Sequence, residues 1–144
     1  MSDFKIWDQK SHAKQWLVFA KNIGKRLSID ETSLSNGELY TILTNKAAKG
    51  RKGAIVAMVA GTKAETVIAI IEKTPLKQRN LVTEITLDIA ANMGLVTKKC
   101  FPNATRVTDR FHVQKRATEA LQEIRIKYRW QAIDYDNEAI EKAK

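Results

Sequence analysis

Cysteine and long apolar stretches are scarce in this sequence, and each scarcity excludes a class of protein. The single cysteine, Cys100, has no partner for an internal disulfide and cannot form a cysteine-rich zinc site, which suits a reducing compartment. No apolar run reaches the roughly 18 residues needed to span a bilayer, and Met1–Lys10 is too polar for a secretory signal peptide. The sequence therefore predicts a cytoplasmic protein without a membrane span.

Positive charge is what the sequence has in excess. The 144 residues carry a formal net charge of +9, and 44% of them are hydrophobic. That composition fits one globular domain with its own core. The partners that such a charge favours are polyanions, nucleic acid ahead of an anionic membrane surface. Charge alone does not choose between them.

The first half of the chain has the pattern of an antiparallel meander. Lys25–Leu34 and Glu38–Asn45 are predicted strands, and Asn36-Gly37 between them favours a tight hairpin turn. Ala54–Ala60 is too apolar to be half-exposed and is predicted as a third, buried strand. Residues 1–24 are interpreted as an N-terminal segment packed on the domain, in which 11–20 could form a short helix.

The hydrophobic period then changes from strands alone to alternating helices and strands. Thr62 and Glu65 have the spacing of a capping box that starts a helix, and Thr74-Pro75 ends it. The elements predicted after it are a strand at Leu81–Leu87, a helix at Ile89–Lys99, a strand at Ala104–Thr108 and an amphipathic helix at Val113–Ala132 with Ala117, Ala120, Leu121, Ile124 and Tyr128 on one stripe. Residues 25–132 thus form the predicted core, and 133–144 a polar, frayed tail.

This order of elements, β-β-β-α-β-α-β-α, predicts an α/β protein with the mixed sheet of the ribonuclease H-like fold. A helical crossover returns the fourth strand to the sheet parallel to the first, with the fifth strand outside it. Asp30 on the first strand would then lie beside Asp88 at the carboxyl end of the fourth. Ligands of open α/β sheets bind at this edge.

Two neighbouring carboxylates in a basic protein suit a magnesium site. Mg²⁺ prefers oxygen ligands and completes its shell with waters and substrate phosphates. The alternatives remain open at this point: Asp88 before a helix is the usual place for an N-cap, and Asp30 followed by Glu31 is compatible with a solvated strand end.

Three stretches of the sequence together resemble bacterial insertion-sequence transposases of the DDE, ribonuclease H-like class. They are LSIDETSLSNGELYTILTN, EITLDIAANM and CFPNATRVTDRFHVQKRATEALQEIRIKYRW. The resemblance implies that Asp30 and Asp88 are the first two catalytic acids and bind Mg²⁺ or Mn²⁺. Asp109 and His112 resemble an Asp-x-x-His signature that supports the active site without binding metal. The implied partners are transposon-end and target DNA, in a bacterial protein associated with the nucleoid and able to form a homo-oligomer.

Departures from the family pattern lead to a further expectation. Such transposases have a DNA-binding region before the first acidic strand and a catalytic Glu well beyond the DRFH stretch. The acids available after DRFH, Glu119, Glu123 and Glu138, lie on the amphipathic helix or in the polar tail. We therefore expect a truncated transposase that is inactive alone. The alternatives are a non-catalytic DNA-binding or subunit-competing fragment and a small nuclease that uses a local Glu.

Basic residues concentrate in the last third of the chain. Between Lys98 and Trp130 nine basic residues face three acids, which accounts for +6 of the net charge of +9. A solvated helix face and a track for DNA phosphates explain this equally well. The candidate DNA-binding residues are Lys115, Arg116, Arg125, Lys127 and Arg129.

Other site chemistry has weaker support. The spacing of His12, Cys100 and His112 matches no zinc motif. No general base is evident near Cys100, so a small buried thiol is the better interpretation. The tryptophans favour core or interface packing over base stacking.

Overall fold

The strands and helices follow one another in the predicted order, with an additional strand at the start and an additional short helix before the fourth predicted strand. The computed structural model describes residues 7–34 and 37–143. Its strands are β1 (Trp16–Val18), β2 (Arg26–Ser33), β3 (Leu39–Asn45), β4 (Ile55–Ala60), β5 (Glu84–Leu87) and β6 (Thr105–Thr108), and its α-helices are α1 (Ala64–Ile71), α2 (Leu76–Arg79), α3 (Ala91–Cys100) and α4 (Arg110–Lys142).

The strands form one six-stranded mixed sheet in the order β1-β4-β3-β2-β5-β6. The meander pairs antiparallel, whereas β5 pairs parallel with β2 and β6 parallel with β5. The predicted mixed α/β sheet of ribonuclease H-like type is therefore confirmed, including the parallel partner of the first predicted strand and the outer position of the last.

The hydrophobic core lies between the sheet and the helices α1 and α3. Along β2, Leu27 and Ile29 are buried and alternate with more exposed residues, as expected when one face of a strand packs on a core. Val67 of α1 and Val96 of α3 are fully buried against that face. Alternate residues of β2 therefore belong to the opposite face of the sheet, and Asp30 is one of them.

Arg79 is a structural residue within the basic segment that joins α1 to β5. Its side chain is buried, with Nη1 donating to the Cys100 carbonyl at 2.7 Å and Nε to the Thr74 carbonyl at 3.1 Å. A buried guanidinium is stable only when its donors find acceptors. Arg79 therefore ties the ends of α1 and α3 together, and it is unavailable to a nucleic acid.

Two of the secondary-structure predictions are wrong at the ends of the chain. Residues 11–20 do not form a short helix: Trp16–Val18 pairs with β4, because Trp16 and Val18 pack on the core and tertiary pairing outweighs local propensity. The polar tail is not frayed, because α4 continues to Lys142 through good helix formers and an i,i+4 contact of 3.9 Å between Lys142 and Glu138.

Two turn and cap predictions have different outcomes. The capping box is wrong: the N-cap of α1 is Lys63, without a side-chain hydrogen bond, so Thr62 lies one position too early. In the predicted hairpin turn, Asn36 lies outside the described residues, while Gly37 has the positive φ of 76° that such a turn requires. The Leu34 amide donates to the Glu38 carbonyl at 3.0 Å beside that turn.

The chain divides into two units, residues 1–109 with the sheet and residues 110–144 with α4. Within the described residues, α4 has no buried side chain, and members of its predicted stripe are open to solvent, with Leu121 62% and Tyr128 66% exposed. No helix in the described part of the chain is long and apolar enough to cross a membrane.

Candidate active site

The sheet brings Asp30 and Asp88 to neighbouring positions. In the parallel pair of β2 and β5, Ile29 is the register partner of Leu87, and each is followed directly by an aspartate. Neighbouring strands lie about 4.8 Å apart, so two residues at successive register positions are adjacent across the sheet. Asp30 is exposed and Asp88 half-buried.

Both carboxylates accept hydrogen bonds from the backbone amide of the next residue. Asp30 Oδ1 accepts from Glu31 N–H at 2.8 Å, and Asp88 Oδ1 accepts from Ile89 N–H. The N-cap of α3 is Ala90, so the interpretation of Asp88 as the cap of that helix is wrong. Asp30 lies inside β2 rather than at its end.

A third aspartate extends this row. Leu87 is the register partner of Thr108 in the parallel pair of β5 and β6, and Asp109 follows Thr108 directly. The Asp109 amide donates to the Leu87 carbonyl at 2.9 Å, which continues the ladder past the end of β6. Asp109 is the last residue of the first unit. His112 belongs to the second unit, in the first turn of α4, where its ring meets the Phe111 ring edge-on at 5.6 Å.

Lys46 places a positive charge on the polar face of β5, which the sequence did not indicate. Its Nζ donates to Thr86 Oγ1 at 2.7 Å and lies 3.6 Å from Glu84 Oε1. Glu84 and Thr86 alternate with the core residues Ile85 and Leu87, so they share the other face of the strand. In the sequence, the alternation of polar and apolar residues along β5 indicated a polar face. It could not identify Lys46, 40 residues away, as the partner of Thr86.

A cleft of about 520 Å³ opens beside Asp88, between the strands β5 and β6 and the helix α3. Two exposed cations line it, Lys98 of α3 and Arg106 of β6. A Cβ added to Gly94 would lie 3.7 Å from Arg106 Nη1, so the guanidinium runs beside the open backbone of this glycine. Sequence patterns assigned these two cations no role beyond their place in the basic third of the chain.

The candidate DNA-binding residues all lie on α4, but not on one side of it. Arg125 and Arg129 are four positions apart and are therefore neighbours on one side of the helix. Arg116 and Lys127 are eleven positions apart, about three turns at 3.6 residues per turn, so they share a side as well. That side is opposite the one that carries Arg125 and Arg129. Lys115 Nζ lies 3.9 Å from Glu119. The helix thus presents two separate rows of positive charge.

The alternative sites gain no support. Cys100 is fully buried, and this burial raises the pKa of its thiol to about 11, which leaves almost no thiolate near neutral pH. His12 stacks on Trp16 at 3.4 Å, and Trp16 packs against the core. Among the residues that the structure describes, no three or more His, Cys, Asp or Glu side chains form a group able to hold a metal ion.

The two neighbouring carboxylates nevertheless fit part of a magnesium shell. Mg²⁺ is commonly held by one or two carboxylates, with waters and substrate phosphates as its other ligands. Asp30 supplies an exposed carboxylate and Asp88 one at the mouth of a cleft. Both are oxygen donors of the type a hard cation prefers.

Comparison with known proteins adds one match. The family model for DDE transposases of the ISL3 type, described as transposase, matches residues 27–144. This range is well over half of the chain and starts in β2, three residues before Asp30. No curated protein matches the sequence significantly.

Proposed function

Because this chain belongs to the ISL3-type family of DDE transposases, we propose that it binds transposon DNA with Asp30 and Asp88 as two ligands of a catalytic divalent metal ion. The observation that supports this most is the register of the parallel strands β2 and β5, in which Asp30 and Asp88 each directly follow one of the paired residues Ile29 and Leu87. Such a placement requires the crossover through α1 and α2, and neither residue caps a helix.

Each side chain of the site has a distinct part in this proposal. Mg²⁺ or Mn²⁺, when bound, supplies activation of the attacking oxygen and charge stabilisation at the leaving oxygen of a phosphoryl displacement. Asp30 and Asp88 hold that ion, each oriented by the backbone amide that it accepts from. Asp109 and His112 act as supporting residues, and Asp109 is fixed by its backbone bond to Leu87.

The 144-residue chain alone is expected to bind DNA without cutting it. Two carboxylates provide too few fixed ligands for a two-ion displacement, and among the described residues no three acids, Asp109 included, form a group able to hold a metal ion. A purely DNA-binding role is the second candidate, favoured by the exposed basic rows of α4. Magnesium-dependent nicking of DNA by the purified chain would contradict both expectations.

Metal binding tests the proposed site directly, through thermal unfolding with and without Mg²⁺ or Mn²⁺. An ion that binds only the folded protein stabilises it by RT ln(1 + [L]/Kd), about 1.4 kcal/mol at ten times Kd. We expect this increase for the parent protein and its loss in the Asp30→Asn and Asp88→Asn variants. Asp136→Asn, on the exposed surface of α4, is the matched control and should keep the full response. An undiminished metal response in both site variants would show that the ion binds elsewhere.

A further inference from the structure

The cleft beside Asp88 has a composition that the two acidic ligands do not explain. One wall carries the cations Lys98 and Arg106, and the remaining lining is largely apolar, with Leu87, Ile89 and Leu95 among it. Ile89 is 47% and Leu95 40% exposed, so apolar surface is open to solvent here. A cleft with an apolar floor and a cationic wall suits a ligand that is flat and apolar at one end and anionic at the other.

The two cations are available to such a ligand. Within residues 7–34 and 37–143, neither the Lys98 nor the Arg106 side chain has a hydrogen bond or an ion pair. Arg106 shares its register position with the buried Ile85, so it projects to the α3 side of the sheet instead of the polar side. A guanidinium with five free donors next to an ammonium is a strong site for a phosphate.

From this arrangement we infer that the cleft binds an unpaired nucleotide of the DNA strand, next to the phosphate that would complete the shell of a metal ion at Asp30 and Asp88. The nucleotide's phosphate pairs with Lys98 and Arg106, and its base lies on the apolar floor formed by Ile89 and Leu95. The cleft volume of about 520 Å³ falls within the roughly 300–1,000 Å³ of ordinary small-ligand sites and exceeds what a phosphate needs.

A base-paired nucleotide cannot place its phosphate on the two cations and its base on the apolar floor at the same time. In a duplex the base is stacked and paired, and only the phosphate reaches a protein surface. Stacking of a freed base on protein side chains stabilises binding to single strands, most strongly on aromatic side chains and less on aliphatic ones. The cleft therefore distinguishes a strand with unpaired nucleotides at the active site from an intact duplex. This inference rests on the proposed function, because the adjacent phosphate is the one at the two acids.

The test compares binding of two labelled DNAs by fluorescence anisotropy, in EDTA so that no metal ion is required. One is a blunt duplex and the other has the same duplex with a short unpaired overhang. The parent protein should bind the overhang DNA more tightly. Lys98→Gln with Arg106→Gln should weaken overhang binding by about tenfold and remove the preference, because the phosphate of the unpaired nucleotide loses its charge-assisted hydrogen bonds in the cleft.

A charge-matched control separates the cleft from general electrostatics. Lys21→Gln with Lys77→Gln removes two exposed cations that do not line the cleft, one following β1 and the other on α2. This control should weaken both DNAs by the same factor and keep the preference for the overhang. An equal loss of preference in both double variants would overturn the inference, as would a parent protein that binds both DNAs equally.

A second variant fills the cleft without changing its charge. Gly94 lines the cleft and faces Arg106 across ordinary contact distance, so the longer side chain of Gly94→Leu must extend into the open volume. It should remove the overhang preference, whereas Gly94→Ala should keep it and fold at least as stably, because alanine favours a helix more than glycine does. An overhang preference that survives in Gly94→Leu overturns the inference.

The two hypotheses fail in different ways. If the cleft variants keep the overhang preference while Asp30→Asn and Asp88→Asn lose the metal response, the inferred nucleotide site is wrong and the metal site stands. If the parent protein binds neither DNA, the proposed function is wrong, and the inferred nucleotide site is wrong as well.

Discussion

The two basic rows of α4 make a prediction about the salt dependence of DNA binding. Each phosphate contact by Lys or Arg contributes about 0.9 to the slope of log K against log salt concentration. A straight helix lying on DNA presents one side to the phosphates, so Arg125 with Arg129 and Arg116 with Lys127 cannot contribute equally. The pair that contacts the backbone is therefore identifiable by its effect on this slope.

The neighbouring charges favour Arg125 and Arg129. Glu119 lies three positions after Arg116 and Glu123 four positions before Lys127, where oppositely charged side chains meet on a helix. No acid occupies the corresponding positions around Arg125 or Arg129. Arg125→Gln with Arg129→Gln should therefore lower the slope by about 1.8, twice the contribution of one contact. Between about 50 and 200 mM salt, the parent protein should lose about twelvefold more affinity than this variant.

The assay is a series of anisotropy titrations of one duplex across that range of salt. Arg116→Gln with Lys127→Gln is the matched control, and its slope should fall by much less than 1.8, the value from two contacts at about 0.9 each. An equal fall for both pairs would refute contact through one side of the helix. An unchanged slope for both would refute the DNA-phosphate track on α4 altogether.

Two further predictions concern buried residues of the first unit. Burial raises the pKa of the Cys100 thiol to about 11, so only about one molecule in a thousand carries the thiolate at pH 8. The folded protein should therefore resist alkylation by iodoacetamide and react once it is unfolded. Rapid labelling of the folded protein would contradict this. Arg79→Met should lower the free energy of unfolding in urea by about 3 kcal/mol, because two buried carbonyls lose their donors at about 1–3 kcal/mol each. Lys77→Met, on the exposed side of the same short helix, should change it by less than about 0.5 kcal/mol, and similar losses in both variants would refute the structural role of Arg79.

Sequence patterns were sufficient where one local rule determines an element. Local hydrophobic patterns located β2 to β6, and the change to a helical period after β4 implied the crossover that makes β5 parallel to β2. The neighbouring positions of Asp30 and Asp88 follow from those two facts. That part of the site depends on backbone topology alone, so it needed no knowledge of side-chain contacts.

The remainder of the site depends on contacts between distant parts of the chain. Lys46 reaches Thr86 across 40 positions, and Lys98 and Arg106 meet at the cleft from a helix and a strand. Long flexible side chains carry no periodic signal that reports where their charged ends lie. The strand β1 was missed for a related reason, since three residues become a strand only when β4 offers an edge to pair with.

The placement of acids along this edge of the sheet favours a functional role over a structural one. Asp30, Asp88 and Asp109 follow register partners on three adjacent strands, and like charges at neighbouring strand ends repel one another. The backbone amides of Glu31 and Ile89 offset part of this repulsion, and a bound cation would offset more. Replacing a carboxylate by an amide should therefore slightly stabilise the metal-free protein while abolishing its stabilisation by Mg²⁺. A purely structural aspartate would show neither effect, because its loss would lower stability with and without the ion.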